Sequence, residues 1–434
     1  MTAAPCILVL GAGGLIGYAL AVDLQRRGFM VRSAARRFTA AQAATLHECA
    51  VSPLTSLDDR ALAEFLSGAD IVINCIGVLQ GAESDVVHHA FAARLAGICG
   101  GRSRKLLIHM SVPGDEKDDR TPFSRTKREG ERAIAASGAP FVILRPGFVI
   151  ASTAYGGSAL IRALAVLPLR LPYRESRSRF AATAMVDLCE TVARLSARWR
   201  GGEMGWSASW DVMEEVPGTV GDIVEIVRAH IGGPRPLLRL PGWMMAPGVL
   251  AGDAVALLGW RPPLRSTAIA EMRRGVAGDP GPWIASMDIT PLSAQEAVAL
   301  LGAGVQERWF ARLYLLKALA LVTLVIFWCV SGAIALTVAF GAARATLIAH
   351  GFSFGLAHAV TIISSLIDIS VGAAIALRRT CHFGLVTGII VSLGYMAGAA
   401  IIAPDIWIEP LGALVKTGPA IVLMLFCLAT LDDR

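Results

Sequence analysis

The 434-residue chain has no CxxC pair, no internal repeat, no low-complexity tract and no basic stripe interleaved with aromatics. Its eight cysteines, Cys6, Cys49, Cys75, Cys99, Cys189, Cys329, Cys381 and Cys427, stand apart, several of them in apolar runs. That argues against a metal site and for buried, reduced thiols in a cytosolic compartment. Without a basic stripe, the net charge of +6 does not point to nucleic acid. The first apolar run, 7–10, lacks a basic leader and runs into glycines, so it reads as a strand and not as a secretory signal. Charge is scarce, at 17% against 54% hydrophobic residues, and mean hydropathy is +0.57. The scarcity is concentrated in the last third, where long uncharged runs separate a membrane part from a soluble part.

The soluble part opens on Cys6–Leu10, followed by Gly11-Ala12-Gly13-Gly14-Leu15-Ile16-Gly17 and an amphipathic stretch over 18–27. Gly28 stops that helix and Met30–Ala35 gives a second strand. Strand, glycine turn, helix and strand within about 30 residues start a Rossmann unit. The alternation continues with helices predicted at 57–67, 86–99 and 122–137, and strands at 70–75, 105–110 and 141–144. It implies a parallel sheet with helices on both faces. After Arg145 the pattern loosens: 159–167 and 184–195 look helical, and 201–281 is broken by Gly, Pro and Trp. The Trp-bearing stretch 242–259 is a candidate docking surface. The predicted fold class is α/β: a Rossmann-type parallel sheet over 1–150, a small cap over 151–304, then an all-α four-helix transmembrane bundle over 305–434.

The four spans are predicted at 318–340, 352–377, 383–402 and 411–428. Arg308, Arg312, Lys317, Arg378, Arg379 and Arg434 fall on one side of such a bundle, and Arg344 and Lys416 on the other. The basic excess places the N-domain and the C-terminus on the cytoplasmic side of a cell's inner membrane. Lys317 and Lys416 read as snorkelling side chains. Asp368 lies inside the second span, where a carboxylate is costly. It reads either as a proton or quinone site, with His358 two to three turns earlier, or as a structural hydrogen bond to Ser364, Ser365 or another helix.

The glycine turn carries the clearest chemistry. Gly11 permits the tight turn, Gly14 lets backbone approach a pyrophosphate, and Gly17 lets the helix pack close. With Gly13, Leu15 and Ile16 it offers unpaired N–H groups at a helix N-terminus. The alternative is a structural turn that holds no cofactor. An NAD site places an acid at the end of the second strand, but here Arg32, Arg36 and Arg37 precede the first acid, Glu48. Guanidinium suits a 2′-phosphate, so NADP(H) is expected over NAD(H), with Arg36 and Arg37 as contacts. Otherwise these arginines simply face solvent.

Residues 1–150 resemble the atypical, extended-like short-chain dehydrogenase/reductases. Val31-Arg32-Ser33-Ala34-Ala35-Arg36 looks like the family's second strand, and His109-Met110-Ser111 like the strand bearing its active-site serine. Ile73-Asn74-Cys75-Ile76-Gly77 resembles the branch containing the NADPH-binding 39 kDa accessory subunit of respiratory complex I. Leu144-Arg145-Pro146-Gly147 and Met185-Val186-Asp187 match later segments. The resemblance implies that Asn74 and Gly77 border the cofactor, and that Ser111 and Lys127 occupy catalytic or cofactor-positioning places. The family's Tyr-x-x-x-Lys reads Phe123-Ser124-Arg125-Thr126-Lys127 here. Phe123 cannot transfer a proton, and Ser124 sits about 100° away around the helix. Lys127 reads as the ribose-holding lysine, or else as a surface partner of Glu131. The family's adenine-contacting acid is replaced by Ser52-Pro53-Leu54, which leaves Leu54 and backbone near Gly77 to meet the adenine.

From about Tyr314 the chain resembles the DoxX-like four-helix membrane module. The likeness rests on span count and on Trp407-Ile408-Glu409-Pro410-Leu411-Gly412 leading to Lys416-Thr417-Gly418-Pro419. The stretch 306–314 resembles the join seen when this module is fused to such reductases. Two functions follow. One is a membrane-tethered NADPH-dependent reductase acting on a quinone or lipid carbonyl. The other is a non-catalytic NADPH-binding scaffold or sensor in a membrane protein complex, which Phe123 favours. A sugar epimerase or dehydratase, which needs the tyrosine, ranks third.

Overall fold

Five consecutive buried residues, Cys6–Leu10, form the interior strand β1. Around it lie β2 (Met30–Ala35), β3 (Cys49–Val51), β4 (Ile71–Asn74), β5 (Leu106–Met110), β6 (Phe141–Pro146) and β7 (Ser207–Val212). The sheet runs β7-β6-β5-β4-β1-β2-β3, parallel throughout. This computed structural model describes residues 5–79, 81, 84–101, 104–408 and 414–431. The helices used below are α1 (Leu15–Arg26), α2 (Phe91–Cys99), α3 (Pro122–Ala136), α4 (Met185–Arg200), α5 (Met245–Leu257) and α6 (Ser266–Arg274).

Successive strand residues point to opposite faces, so a run apolar at every position must be covered twice. Ile7, Val9, Ile73, Ile108 and Met110 pack with Leu20 and Leu24 of α1 and Leu188 and Val192 of α4. Leu8, Leu10, Val72 and Leu107 pack on the other face with Leu62, Phe91, Leu95 and Ile134. Strand order reverses between β1 and β4, and in such sheets nucleotides bind beyond the carboxyl ends of the strands at that switch point.

The chain clusters into two compact units. One comprises residues up to Leu250 with Pro263–Ala311; the other comprises Ala251–Pro262 with residues from Arg312 onward. In the first unit, β7 was not legible in the sequence. Ser207 to Val212 pair with Phe141 to Pro146, so a stretch inside the expected cap range completes the main sheet. Small polar residues at an edge blur alternation, and only pairing with β6 defines the strand. A smaller core forms from Ile150, Ile161, Phe180, Ile223, Val227 and Val298. Helix α1 begins at Leu15, three residues before the predicted start, because Gly14 already serves as its N-cap.

The helices α7 (Val305–Leu336), whose residues from Arg312 belong to the second unit, and α8 (Phe354–Ala376) and α9 (Cys381–Ile402) within it are long and apolar enough to cross a membrane. The predicted fourth span is only the 13-residue α10 (Thr417–Ala429), and its first predicted residues, 411–413, lie outside the described residues. Among the described residues three helices have spanning length, and the described thirteen residues of α10 rise about 20 Å against a hydrocarbon core of about 30 Å. The first span also ends early. The Ala339 N–H turns back to the Ile334 carbonyl at 2.9 Å, and Phe340–Ala349 is a separate short helix. Hydropathy cannot register such a turn, since both sides of it are apolar. Leu324, Trp328, Val371, Leu385 and Met424 form this unit's core. A Cβ at Gly332 would lie 2.6 Å from the Ser365 carbonyl, so glycine permits a close helix approach.

Candidate functional site

The turn after β1 is built as a phosphate cradle requires. Gly11 has φ +83°, and its N–H and that of Ala12 donate to the Ala34 carbonyl at 2.8 and 3.0 Å. The Gly14 N–H closes the turn on the Gly11 carbonyl at 2.9 Å. A Cβ at Gly13 would lie 2.7 Å from the Arg37 carbonyl, and one at Gly17 would collide with the Gly11 carbonyl. Gly14 differs: it is exposed, and an added Cβ meets only the Gly11 carbonyl, at 3.3 Å. As the N-cap it provides no side-chain acceptor, which leaves the first-turn amides of Leu15, Ile16 and Gly17 without a side-chain cap. Those amides and the helix dipole fit the pyrophosphate of a dinucleotide.

At the end of β2 the three arginines part company. Arg32 bonds Glu48 at 3.0 Å and the Ser67 carbonyl at 3.0 Å, so it braces the sheet edge. Arg36 and Arg37 are exposed just beyond the strand, beside the glycine turn. Leu54, at 3% exposure, packs into the core, so its side chain presents little surface to a purine.

Beyond β4 and β5 the buried side chains form one connected group. Asn74 Oδ1 accepts the Ile76 N–H at 3.1 Å, so its Nδ2 donates to His109 Nδ1 at 3.0 Å. That fixes the His109 proton on Nε2, which is buried without a partner. Burial, with the Lys127 charge, holds His109 well below its usual pKa. Ser111, two residues along the same face, carries a buried hydroxyl that also lacks a partner. Two orphaned buried polar atoms beyond the carboxyl end of β5 are what a site completed by a bound polar ligand would leave.

Lys127 is buried and is not a surface residue. Its ammonium donates to the Met110 carbonyl at 2.7 Å, and the Ile76 carbonyl lies at 3.5 Å. Burial pushes its pKa down to about 8, against the opposing influence of Cys75 and Glu131. Glu131 is engaged elsewhere, with Arg128 at 3.0 Å and Arg145 at 2.6 Å. Arg128 also reaches Asp119 at 3.1 Å and the Gly114 carbonyl at 2.9 Å, and Arg274 of α6 joins Asp119 at 3.0 Å. This buried ion-pair network ties the loop after β5 to α3, and so fixes Ser111 relative to Lys127. Ser124 is spent at the start of α3, where its amide donates to the capping hydroxyl of Thr121 at 3.2 Å.

His88 was not singled out by sequence reasoning. Its Nε2 accepts the Val78 N–H at 3.0 Å, so Nδ1 carries the proton and donates to Thr126 Oγ1 at 2.9 Å. That hydroxyl donates onward to the Pro122 carbonyl at 2.7 Å. Burial and then the Lys127 charge lower His88 to about 3, so it stays neutral at physiological pH. Phe123 packs edge-on against it, with ring centroids 5.5 Å apart. A Cβ at Gly77 would lie 3.5 Å from Lys127 Nζ and 3.7 Å from His88 Nε2. The only available signal was the helical spacing between His88 and its neighbours, which reads as core. A Cβ at Gly130 would strike the His88 carbonyl, so a glycine inside α3 lets the two segments close up.

The structure therefore brings together Gly11, Gly13, Gly14, Asn74, Gly77, Ser111 and Lys127. It keeps apart Asp368 and His358, ten residues or about 15 Å along one helix. Asp368 accepts from the Tyr395 hydroxyl of α9 at 2.9 Å, while Ser364 and Ser365 donate to the Thr361 carbonyl. His358 lies against Phe340 and Phe354. Of the last DoxX-like motif, 409–412 lie outside the described residues, as does Arg434.

Comparison with known proteins agrees with this division. Residues 7–165 match the NAD dependent epimerase/dehydratase family, and residues 325–425 match the DoxX-like family. No curated protein matches the chain. Among solved structures it is similar to UDP-glucose 4-epimerase from Thermotoga maritima with UDP-glucose, at 14% identity, TM-score 0.51, covering 68% of this chain and 96% of that one. It is similar to the Bordetella bronchiseptica enzyme WbmG in complex with NAD, at 14% identity, TM-score 0.51 and coverage of 69% and 93%. MoeE5 in complex with UDP-glucuronic acid and NAD gives 17% identity, TM-score 0.51 and coverage of 71% and 99%. At such identities the likeness is one of fold. Each family model matches less than half of the chain, and the narrower likeness to the complex I subunit rests on the sequence motifs alone.

Proposed function

We propose that this protein is a membrane-anchored NAD(P)H-dependent reductase whose acceptor is membrane-soluble, a quinone or a lipid carbonyl. The observation that carries this reading is one constellation. An uncapped glycine turn, a buried Lys127 and an unpartnered Ser111 hydroxyl lie at the carboxyl ends of β1, β4 and β5, in a chain that also bears membrane-length helices. A nicotinamide cofactor would supply the hydride. The amides of Leu15 and Ile16 would hold its pyrophosphate, Lys127 its ribose hydroxyls, and exposed Arg36 and Arg37 a 2′-phosphate, which favours NADP(H) over NAD(H). Ser111 would polarise the acceptor oxygen by a hydrogen bond, and the proton that completes the reduction would come from solvent, since Phe123 has none to give. Positively charged loop ends support a reductase unit on the cytoplasmic face.

Phe123 supports a second reading, in which the domain holds NADPH without turnover, as a scaffold or sensor in a membrane assembly. Similarity to sugar-nucleotide enzymes supports a third, epimerase or dehydratase chemistry, against which the same phenylalanine weighs. The deciding experiment loads the detergent-purified protein with NADPH and adds quinones or lipid extracts without oxygen. Oxidation that disappears in Gly14→Asp supports the reductase. Tight binding without oxidation by any acceptor refutes it in favour of the scaffold.

A further inference from the structure

Helix α5, of sequence Met-Ala-Pro-Gly-Val-Leu-Ala-Gly-Asp-Ala-Val-Ala-Leu, carries a single charged residue, Asp253. A helix apolar on all sides belongs in a core or in a bilayer. It is not in a core. Leu250 is 69% exposed and Leu257 88%, and Gly252 is its only buried residue. It is also too short to span, since thirteen residues rise about 20 Å. Apolar segments of this length that are not buried in protein are re-entrant or interfacial.

The flanks extend the same character. Ahead of the helix, Leu237, Leu238, Trp243 and Met244 are all exposed, Trp243 at 73%. Tryptophan is favoured at the boundary between headgroups and acyl chains, where its ring is buried and its N–H stays hydrated. Exposed arginines border the stretch: Arg235 before it, Arg239 near its start, Arg261 after it, and Arg170 on the short strand that pairs Leu169–Arg170 with Leu238–Arg239. Apolar surface rimmed by guanidinium is complementary to acyl chains beneath anionic headgroups.

One further observation fixes the level of this segment. Within the second unit, its C-terminal end is bonded to the end of a membrane-length helix. Trp260 Nε1 donates to the Ala376 carbonyl, the last residue of α8, at 2.7 Å. The Arg378 N–H donates to the Leu258 carbonyl at 3.0 Å, and its guanidinium lies over the Trp260 ring at 5.3 Å. The end of a spanning helix marks the membrane surface, so Leu257 and Leu258 sit where that surface must be.

We propose that residues 237–258 form an interfacial membrane-binding element. It inserts Trp243, Leu250 and Leu257 into the headgroup–acyl boundary of the bilayer that α7, α8 and α9 cross. The proposal needs those helices to cross the bilayer but does not depend on turnover. It gives the soluble unit a second hold on the membrane besides its covalent tether.

The test reconstitutes the full chain into nanodiscs of phosphatidylcholine and phosphatidylglycerol, with acyl chains either plain or brominated near the headgroup. Bromine quenches only tryptophans in contact with the chains. The difference in emission between wild type and Trp243→Phe isolates Trp243 from the other tryptophans, and this exposed position tolerates the change. The expected result is a difference signal at least halved in brominated discs, with the loss diminished in a Leu250→Asp, Leu257→Asp variant. An equal signal in both discs overturns the proposal. If that unquenched signal is also blue-shifted, a second copy of the chain and not lipid covers the segment. Neither outcome involves NADPH, so the reductase reading stands or falls separately.

Discussion

Replacing Gly14 by aspartate separates cofactor binding from folding more cleanly than any other single change. The residue has φ −90° and ψ 174°, ordinary extended backbone for any amino acid. A Cβ there meets nothing closer than the Gly11 carbonyl at 3.3 Å. Aspartate is moreover a favoured N-cap, so helix α1 should hold or gain a few tenths of a kcal/mol. Its carboxylate would accept from the same first-turn amides that a pyrophosphate needs, and would set a negative charge about 4 Å from the phosphates. At an effective dielectric of about 20 that repulsion costs about 4 kcal/mol, or roughly a thousandfold in Kd. NADPH fluorescence titration of the detergent-solubilised protein measures this directly, with thermal unfolding followed in parallel. Gly17→Ala is the counter-control. Its methyl group collides with the Gly11 carbonyl, so it should lose folding stability together with binding. A Gly14→Asp protein that folds like wild type and binds NADPH within tenfold of it would refute the assignment of this turn as the phosphate cradle.

Three further outcomes are expected. NADPH affinity should fall as pH rises through about 8, where Lys127 loses its proton, and Lys127→Met should bind more weakly with that pH dependence gone. The depressed pKa has a stability counterpart: from about 8 up to the unperturbed 10.5 the unfolded chain holds the proton that the folded one has released, so folding stability rises with pH across that window. Arg36→Ala with Arg37→Ala should weaken NADPH by about 2 kcal/mol, some thirtyfold, while leaving NADH nearly unchanged, because only the former carries a 2′-phosphate; equal losses for both would remove the NADP(H) preference. Phe123→Tyr places a phenol four residues before Lys127 and should raise NADPH-dependent carbonyl reduction at least a hundredfold, the usual contribution of a general acid; no gain with binding intact would mean that position 123 does not face the reacting carbonyl.

Periodicity and glycine placement determined the outline of this protein. A buried strand running into Gly11, Gly14 and Gly17 has few other uses, and alternating apolar segments leave a parallel sheet as the solution, because both faces of each strand must be covered. Long uncharged runs likewise announce the membrane part, since hydropathy depends on composition alone. What the tertiary structure decided lies in contacts between distant segments. β7 became a strand only by pairing with β6, and the first predicted span ends at Leu336, where the chain turns into a separate short helix. His88, whose sequence context reads as core, was placed against Phe123 and beside Lys127. By sequence alone Lys127 also had a surface pairing with Glu131 open to it. Burial and the prior claims of Arg128 and Arg145 on that carboxylate turned it inward to the Met110 carbonyl. Local pattern fixes which face a residue occupies along its own element, while partner choice among charges depends on what three-dimensional packing brings within reach.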